Sequence, residues 1–355
     1  MKKITAAAFV MTLLLSALSA YNPPVGSEDM CLLSSPRALS GGLSVSGGAI
    51  FSSGAESIVV NPALTASEQR TNLNFAYTML LSGNRLDESC FGSAFQGAIL
   101  IPFKLYVFSG YVNGTFANFT NEMYLGNSIN AKVGLSKEIT DKLNVGLSLS
   151  GGYTWKFGMD WAIAADLGFV YNVGDLGFLK DFRYAFSALN LGKTYNNVLR
   201  LNLDSTQAIT AYPSLATLKA GASASFIKNE NIEIGAAFDL TVPTFQNVIF
   251  DLNLQAGIKN MLFISLGEKF NLRETITGHN SFIPSVGLIF KFNFNMKNNE
   301  FFESKDWSQS EMSTSIAYKN LYSNVHAISA GLDVSLGMKD MTPPQIILLD
   351  LDDEE

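Results

Sequence analysis

Residues 143–150 read LNVGLSLS, so that leucine and valine alternate with asparagine, glycine and serine. The same alternation occurs in residues 232–240 (IEIGAAFDL) and 290–295 (FKFNFN). A period of two places successive side chains on opposite faces of a β-strand. The pattern therefore predicts strands with one apolar face and one small or polar face.

Segments of this kind recur about fourteen times between residues 70 and 337, each about ten to fourteen residues long, whereas strands of soluble proteins average roughly 5–6 residues. A soluble β-sandwich also alternates, so the period alone leaves both fold classes open. Composition favours the membrane: charged residues are 15% of the chain, which also holds 26 Phe and 12 Tyr. A tilted strand crosses a bilayer in ~9–11 residues. We therefore predict an all-β fold, a transmembrane antiparallel β-barrel.

The N-terminus has the pattern of an export signal. Lys2 and Lys3 precede an apolar run at 6–15 and small residues at 16–20. This pattern predicts a signal peptide over residues 1–20. The run is too short to span a membrane as a helix. We expect the mature chain to leave the cytoplasm without a helical anchor.

Charge and cysteine content limit the partners. The net charge of −7 and a pI near 5.0 argue against a nucleic-acid partner, which needs clustered Lys and Arg. Cys31 and Cys90 are the two cysteines. An oxidising periplasm could join them, or both could stay as thiols, and the sequence leaves the two alternatives open.

Three regions follow the predicted signal. Residues 21–68 are rich in Gly and Ser but include scattered apolar residues, which predicts a compact N-terminal hatch, or plug, rather than a linker. Residues 69–337 form the predicted barrel, and residues 338–355 form an acidic tail.

Polar breaks divide the barrel region into fourteen predicted strands, an even number as single-chain bacterial barrels require. We predict these strands at residues 69–81, 93–103, 105–114, 127–138, 142–155, 161–173, 181–192, 215–228, 231–241, 247–258, 261–271, 282–294, 311–321 and 324–337. Long breaks then alternate with short turns, which predicts long loops outside and short turns in the periplasm. The break at 295–310 does not fit, because it is long yet falls on the predicted periplasmic side. It is either an insertion or a sign of a miscounted strand near Pro102.

The junction between hatch and barrel carries a family resemblance. Residues 58–65 read IVVNPALT, and Arg70 and an amphipathic strand follow. This junction resembles the FadL-like family of long-chain fatty acid outer-membrane transporters, in which an Asn-Pro-Ala sequence ends the hatch. Residues 187–192 (SALNLG) and 212–215 (YPSL) also resemble related barrels. The resemblance covers residues 37–337 and is nearest to an uncharacterised spirochaete branch of the family.

The resemblance implies a hatch-plugged barrel that takes up hydrophobic molecules, specifically long-chain fatty acids, and releases them sideways through the wall. It also implies Asn61, Pro62 and Ala63 as hatch or gate residues. In this reading Pro62 fixes φ and Asn61 caps the bend. Two features depart from the family: the barrel does not end the chain on an aromatic residue, and the external loops are shorter than in its best-known members.

Two cations are candidates for binding a substrate carboxylate. Alternation places Arg183 and Lys219 on the lumen face, and a carboxylate favours a nearby cation. The alternative is that both simply neutralise acidic side chains in the lumen: Asp166, Glu233, Asp239, Asp251 and Asp333.

The sequence does not support catalysis. It contains no Gly-x-Ser-x-Gly elbow, no His-Glu-x-x-His pair and no Cys-x-x-Cys spacing, and its two histidines, His279 and His326, lie in or beside predicted loops. We expect no enzyme activity, no cofactor and no metal site.

The expected location is the cell outer membrane, with the hatch in the lumen and the tail in the periplasm. Expected partners are a hydrophobic small molecule, outer-membrane lipids and the assembly machinery, with the protein itself a monomer. Two alternatives stay open: a surface barrel that binds host molecules through its loops, with loop 193–214 as the first suspect, and an open diffusion porin.

Overall fold

The structure is a computed structural model that describes residues 27–83, 90–117, 119, 126–155, 159–193, 195, 216–276, 278, 281–295, 307, 309–322 and 324–337. Within these ranges no helix has the length and apolar character needed to cross a bilayer, a result that does not bear on crossing by strands. The predicted signal peptide and acidic tail lie outside the described residues and stay predictions.

Fourteen antiparallel strands close into a barrel in which each strand pairs with its sequence neighbours and β1 pairs with β14. The strands are β1 Thr71–Ser82, β2 Phe91–Pro102, β3 Val107–Ala117, β4 Gly126–Thr140, β5 Leu143–Trp155, β6 Asp160–Leu176, β7 Leu179–Lys193, β8 Thr217–Lys228, β9 Ile232–Val242, β10 Ile249–Ile258, β11 Leu262–Asn271, β12 Ser285–Asn295, β13 Gln309–Leu321 and β14 Val325–Leu336. The predicted fold class and strand count are confirmed. Pro102 ends β2 and pairs with Val107 of β3, so no strand was miscounted there.

The alternation in the sequence corresponds to side chains that alternately face outward and into the lumen. On β5 the side chains of Leu147 and Leu149 are 57% and 62% exposed, whereas Asn144 and Ser148 are buried in the lumen. Outward apolar side chains are stable only against lipid, since water would penalise so large an apolar surface. The outer face therefore fits a bilayer.

The N-terminal part of the chain lies inside this wall, and we call residues 27–70 the inner segment. It contains η1 (Ser27–Asp29), a short α-helix α1 (Pro36–Leu39), η2 (Ala55–Val59) and η3 (Pro62–Ser67). Nearly all of its residues from 33 to 66 are buried. The all-β prediction therefore holds for the wall, while the lumen is filled by short helical turns.

We name the two ends of the barrel axis. The near end is where β1 begins and β14 ends, and the far end is the opposite one. The inner segment starts at the far end, where Asp29 pairs with Lys269 close to the end of β11. It finishes at the near end, where Arg70 leads into β1 and forms an ion pair with Glu311 of β13. The segment thus runs along the lumen before the chain enters the wall.

The wall is regular except at a few places. The β1–β2, β2–β3 and β3–β4 ladders run without a register shift. Shifts occur at the near end between β4 and β5, β6 and β7, β7 and β8, and β8 and β9. One further shift lies toward the far end of the β6–β7 pair, where Asp166 has no ladder partner.

A short helix, α2 (Leu272–Ile276), follows β11 at the far end. Its N-terminal peptide groups are satisfied by the side chain of Asn271, which accepts from the backbone N–H of Arg273 at 3.1 Å and of Glu274 at 3.4 Å. Capping of this kind fixes the start of a helix. Glu274 is thereby held beside the mouth of the barrel.

Candidate functional site

The predicted gate residues form a capped turn inside the barrel. The side-chain oxygen of Asn61 accepts from the backbone N–H of Ala63 at 3.0 Å, and Pro62 occupies the first position of η3. This is the arrangement that an Asn cap followed by Pro favours. The amide nitrogen of Asn61 donates to the carbonyl of Val45 at 3.0 Å and to that of Phe169 on β6 at 3.1 Å. Asn61 therefore joins two parts of the inner segment to the wall.

Two glycines of the wall make room for this turn. Gly146 on β5 and Gly168 on β6 are direct cross-strand partners, and both face the lumen. A Cβ atom on Gly146 would lie 2.4 Å from the carbonyl carbon of Pro62, and one on Gly168 would lie 2.0 Å from the side-chain oxygen of Asn61. The backbone of the turn thus rests directly on the backbone of the wall, which only glycine permits.

The same kind of contact recurs around the lumen. On nine strands an inward glycine has an atom of the inner segment within 3.2 Å of the position of a Cβ atom: Gly134, Gly146, Gly168, Gly221, Gly235, Gly257, Gly267, Gly287 and Gly331. Glycine in a strand often marks a close backbone approach. These positions show that the inner segment is packed against the wall and does not hang loosely in a pore.

Polar side chains of the wall satisfy the backbone of the inner segment. The N–H of Val45 donates to Asp239 at 2.8 Å, that of Ile50 to Gln255 at 3.1 Å, and that of Ala55 to Asn72 at 2.8 Å. A buried N–H without an acceptor would cost ~1–3 kcal/mol. The polar inward face of the barrel thus supplies the partners that the inner segment lacks within itself.

Arg183, the first carboxylate candidate, belongs to this packing. Its guanidinium is buried and donates to the carbonyls of Ser46 at 2.8 Å and Gly48 at 2.7 Å, with a longer bond of 3.5 Å to Ala49. It also lies 4.8 Å from the centre of the Phe51 ring. Alternation placed it correctly on the lumen face, but its donors are directed at the inner segment.

Lys219, the second candidate, lines a cavity at the far end of the lumen. The cavity measures about 90 Å³, room for several water molecules. Four lysines, Lys132, Lys219, Lys269 and Lys319, contribute to its wall. Its apolar surface comes from both the inner segment and the strands: Leu32, Leu33, Ala38, Leu39, Val59, Leu189, Ile249 and Leu321. The cavity therefore combines apolar surface with four lysines and three acidic side chains, those of Glu28, Asp29 and Asp251.

The four lysines differ in their partners. Lys132 is 2.7 Å from Asp166, and Lys269 forms an ion pair with Asp29. Within the described part of the chain, no acidic oxygen lies within 4.0 Å of the amine of Lys219 or Lys319, and neither amine has a hydrogen-bond partner there. These two ammonium groups are thus available to an anion that enters the cavity.

Acidic residues of the inner segment close the far side of the cavity. Glu28 accepts from the amide groups of Asn247 at 3.0 Å and Asn271 at 2.8 Å. Burial would raise the pKa of Asp29, but the charges of Lys269 and Lys319 outweigh it and lower that pKa to about 2. Asp29 therefore remains ionised at neutral pH and anchors the start of the inner segment.

Glu274 lies beside this anchor and behaves differently. Asn271 donates to its carboxyl at 2.9 Å as well as to Glu28. Burial, together with the negative charges of Asp29 and Glu28, raises the pKa of Glu274 to about 8 despite the attraction of Lys269. It is therefore largely protonated at neutral pH.

Both cysteines are free thiols in the structure. Cys31 lines the cavity, and burial raises its pKa, whereas Cys90 is exposed beside the start of β2. Of the two histidines, His279 lies outside the described residues. His326 on β14 contacts the hydroxyl of Tyr318 at 2.9 Å, away from the cavity. Among the described residues no group of three or more His, Cys, Asp or Glu side chains is placed to hold a metal ion.

Comparison with solved structures identifies the fold. The monoaromatic hydrocarbon channel CymD superposes with a TM-score of 0.51 at 12% identity, covering 87% of this chain and 98% of the channel. The toluene transporter TodX of Pseudomonas putida superposes with a TM-score of 0.50 at 13% identity, covering 84% and 98%. The fold is that of the hydrocarbon channels. A FadL homologue of Pseudomonas aeruginosa aligns at a TM-score of 0.45 and 12% identity, over 88% of this chain and 97% of the homologue.

At the level of the fold, this hydrocarbon-channel architecture confirms the resemblance to FadL-like barrels. The spirochaete branch stays a prediction. No protein-family model matches the sequence, and no curated protein matches it at a significant level. The neighbours establish the architecture, and the chemistry of the lumen must be read from this chain.

Several site residues could not be read from the sequence analysis. Lys319, Lys269 and Lys132 lie on strands far apart in the chain and meet only when the barrel closes. The inward glycines did leave a signal, because Gly146 and Gly168 stand in phase with lumen-facing polar residues on strands whose other face is apolar. Glycine in that phase marks the surface against which the inner segment packs.

Proposed function

We propose that this protein is an outer-membrane transporter for hydrophobic molecules, with the inner segment acting as the hatch. The observation that carries the proposal is the fit of this segment. It contacts all fourteen strands, through the hydrogen bonds, ion pairs and close approaches at Asn72, Gln96, Tyr111, Ser136, Asn144, Phe169, Ser187, Ser223, Asp239, Gln255, Lys269, Gly287, Gly331 and the α1–β13 packing. A lumen filled in this way argues against an open diffusion porin.

The likeness to CymD and TodX supports the hydrophobic cargo. Both are described as channels or transporters of monoaromatic hydrocarbons or toluene, and both share this architecture. An outer leaflet coated with charged saccharide impedes oily solutes, so an apolar route through it has a clear use. A transport role also accounts for a cavity placed beside the hatch.

Long-chain fatty acids are the substrate class that the chemistry of the cavity lining favours; the space of about 90 Å³ takes the carboxylate end, and the rest of the acyl chain requires the hatch to move. Its apolar surface suits an acyl chain, while Lys219 and Lys319 supply two cations without close acidic partners. A neutral hydrocarbon would leave both charges unmatched. We assign the carboxylate to these two lysines and give Arg183 a structural role in holding the hatch.

The same packing supports release sideways into the bilayer. The hatch contacts every strand of the wall, so a straight passage would require displacing many close contacts. Sideways release requires opening the wall at one place. The proposed location is the cell outer membrane, with the barrel acting as a monomer surrounded by lipid, inserted by the outer-membrane assembly machinery, and with its acidic tail in the periplasm.

Fatty acid binding by purified protein tests the substrate class. In Lys219→Met/Lys319→Met we expect the affinity for oleate to fall about 10–100-fold, since hydrogen bonds to charged groups contribute ~1.5–3 kcal/mol. Binding of toluene, which has no carboxylate, should change little. Lys104→Met, in an exposed turn at the near end, is the control. Equal oleate affinity in both variants would rule out the assigned carboxylate site.

The cavity itself can be monitored through Cys31. In a Cys90→Ser background Cys31 is the single thiol, and it lines the cavity. Saturating oleate should slow its alkylation by a small maleimide, and the rate in buffer without oleate is the unprotected reference. Unchanged alkylation at saturating oleate would place the ligand elsewhere.

Uptake distinguishes transport from surface binding. Expression in a strain lacking its own fatty acid transporter should restore growth on oleate, and the purified barrel should show almost no ion conductance in planar bilayers. Binding of host molecules by the expressing cells, without oleate uptake, would favour the adhesin alternative. Its first suspect, loop 193–214, lies almost entirely outside the described residues.

A further inference from the structure

The β6–β7 pair contains a break in the wall at the depth of the cavity, three ladder pairs from its far end. Ala165 pairs with Leu191, and the next pair is Leu167 with Ala188. One residue of β6, Asp166, therefore faces two residues of β7. A bulge of this kind disrupts the ladder locally and often marks a functional position.

A side chain replaces the missing backbone bond at this bulge. The backbone N–H of Asn190, which has a positive φ of 59°, donates to Asp166 at 2.7 Å instead of to a β6 carbonyl. The other oxygen of Asp166 accepts from Lys132 at 2.7 Å and from Ser148 at 2.7 Å. The wall is thus held at this point by a carboxylate, which can change its rotamer without breaking the backbone hydrogen bonds between the strands.

The cavity reaches the wall at the same place. Leu189 and Asn190, the two bulge residues of β7, line the cavity together with Lys132. On the outer side, Leu191 faces the bilayer and is 38% exposed. A molecule in the cavity is therefore separated from lipid by the bulge and its carboxylate.

Other parts of the described wall lack this combination. The remaining register shifts lie at the near end, and the ladders on both sides of β3 are continuous. On the β8 side, the carbonyl of Asn190 accepts from the backbone N–H of Ala216 at 3.1 Å, next to the pair of Leu189 with Thr217. The bulge thus loosens the β6 side of Asn190, where a side chain rather than the backbone accepts its N–H.

We propose that the wall opens between β6 and β7 at the Asp166–Asn190 bulge, and that Asp166, held by Lys132, is the latch of this lateral exit. The inference rests on the proposed function, since an exit requires a transported molecule. Movement of the Asp166 side chain releases the N–H of Asn190 and lets β7 bend away from β6. An anionic substrate approaching Lys132 competes with Asp166 for that ammonium and so favours opening.

A reversible cross-link tests the exit. Ala165→Cys/Leu191→Cys, in the Cys90→Ser background, places two thiols at directly paired outward positions beside the bulge, within the Cβ separation at which a small shift forms a disulfide. We expect oxidised cells to lose oleate uptake and reduced cells to recover it. Oleate binding by the purified oxidised protein should equal that of the reduced form.

The matched control is Val112→Cys/Ala131→Cys, an outward pair on the continuous β3–β4 ladder. Its oxidation should leave uptake unchanged. Uptake that persists in the oxidised β6–β7 variant, or that is lost in the oxidised β3–β4 variant, overturns the proposed exit. If the purified Cys90→Ser parent does not bind oleate and cells that express it do not take oleate up, the proposed function is wrong. The proposed exit is then wrong as well.

The latch can be tested without a cross-link. Asp166→Asn keeps an acceptor for the N–H of Asn190 but removes the charge that holds Lys132, so oleate should leave preloaded protein in lipid vesicles faster than from the parent. Asp160→Asn, which removes an acid paired with Lys193 on the same two strands, is the control and should release oleate at the parental rate. Equal release from the Asp166 variant and the parent would exclude a latch role for Asp166.

Discussion

The glycine-lined surface around the Asn61 turn and the cavity at the far end are built from the same alternating strands yet differ in what fills them. At the first, Gly146 and Gly168 let the inner segment rest directly on the wall. At the second, four lysines line a cavity, and long charged side chains such as Arg70 and Lys291 likewise line a space of about 170 Å³ at the near end. The comparison teaches that side-chain length on the inward face decides where the wall touches the inner segment and where it leaves room for a ligand.

The largest expected effect comes from removing Arg183, the cation on β7 that donates to carbonyls of the inner segment. Arg183→Met should leave the carbonyls of Ser46 and Gly48 without their donor, at ~1–3 kcal/mol for each buried acceptor. Urea unfolding in detergent micelles measures the loss, and planar bilayers should show new ion conductance. Arg273→Met, on α2 at the far end, is the control. If the Arg183 variant stays as stable and as non-conducting as the parent, the guanidinium does not hold the hatch.

Filling the glycine surface should have the next largest effect. Gly146→Ala puts a Cβ atom into the backbone of Pro62, and overpacking of this kind costs ~1–3 kcal/mol. Gly151→Ala on the same strand meets its nearest atom only at 3.9 Å and should change the free energy of unfolding by less than ~0.5 kcal/mol. Equal stability of the two variants would mean that the turn is not pressed against the wall.

Removing the predicted gate turn should cost less. Asn61→Ala/Pro62→Ala loses the cap, the bond of Asn61 to Val45 and its bond to Phe169 on the wall, and loss of a helix cap costs ~0.5–2 kcal/mol. We expect faster protease cleavage of the inner segment and altered oleate uptake. Thr65→Ala, which removes a hydroxyl of the same short helix without touching its cap, separates gating from general loosening. Unchanged cleavage and uptake in the double variant would end the gate assignment.

The smallest effect concerns pH at the cavity end. Because folding raises the pKa of Glu274 from 4.5 to about 8, the folded chain keeps a proton that the unfolded chain releases, and stability falls as pH rises through that range. Glu274→Gln keeps an acceptor for Asn271 but cannot titrate, so its melting temperature should depend less on pH between about 4.5 and 8. Asp29 contributes the opposite slope only in acid, where its stabilising charge is lost as pH falls from 3.8 toward about 2. Parallel pH profiles for the parent and the Glu274 variant would contradict the raised pKa.

Much of the barrel could be predicted because its information is local. Each predicted strand end lies within three residues of the observed one, for example 142–155 against Leu143–Trp155. Alternation also placed Arg183 and Lys219 on the inward face. It could not show that Arg183 reaches the carbonyls of the inner segment while Lys219 faces a cavity, because the partner of an inward side chain depends on what occupies the lumen at that depth.

The sequence by itself determined the wall: a period of two, repeated with polar breaks, fixes which side chains face lipid and how many strands close the barrel. The course of the inner segment, the meeting of Lys132, Lys219, Lys269 and Lys319, and the bulge at Asp166 were decided only by the tertiary structure. The physical reason is the range of the interactions. Strand alternation is set between neighbouring residues, whereas a closed barrel brings together side chains that are far apart along the chain, such as Asn72 and Asp333, which are 261 positions apart.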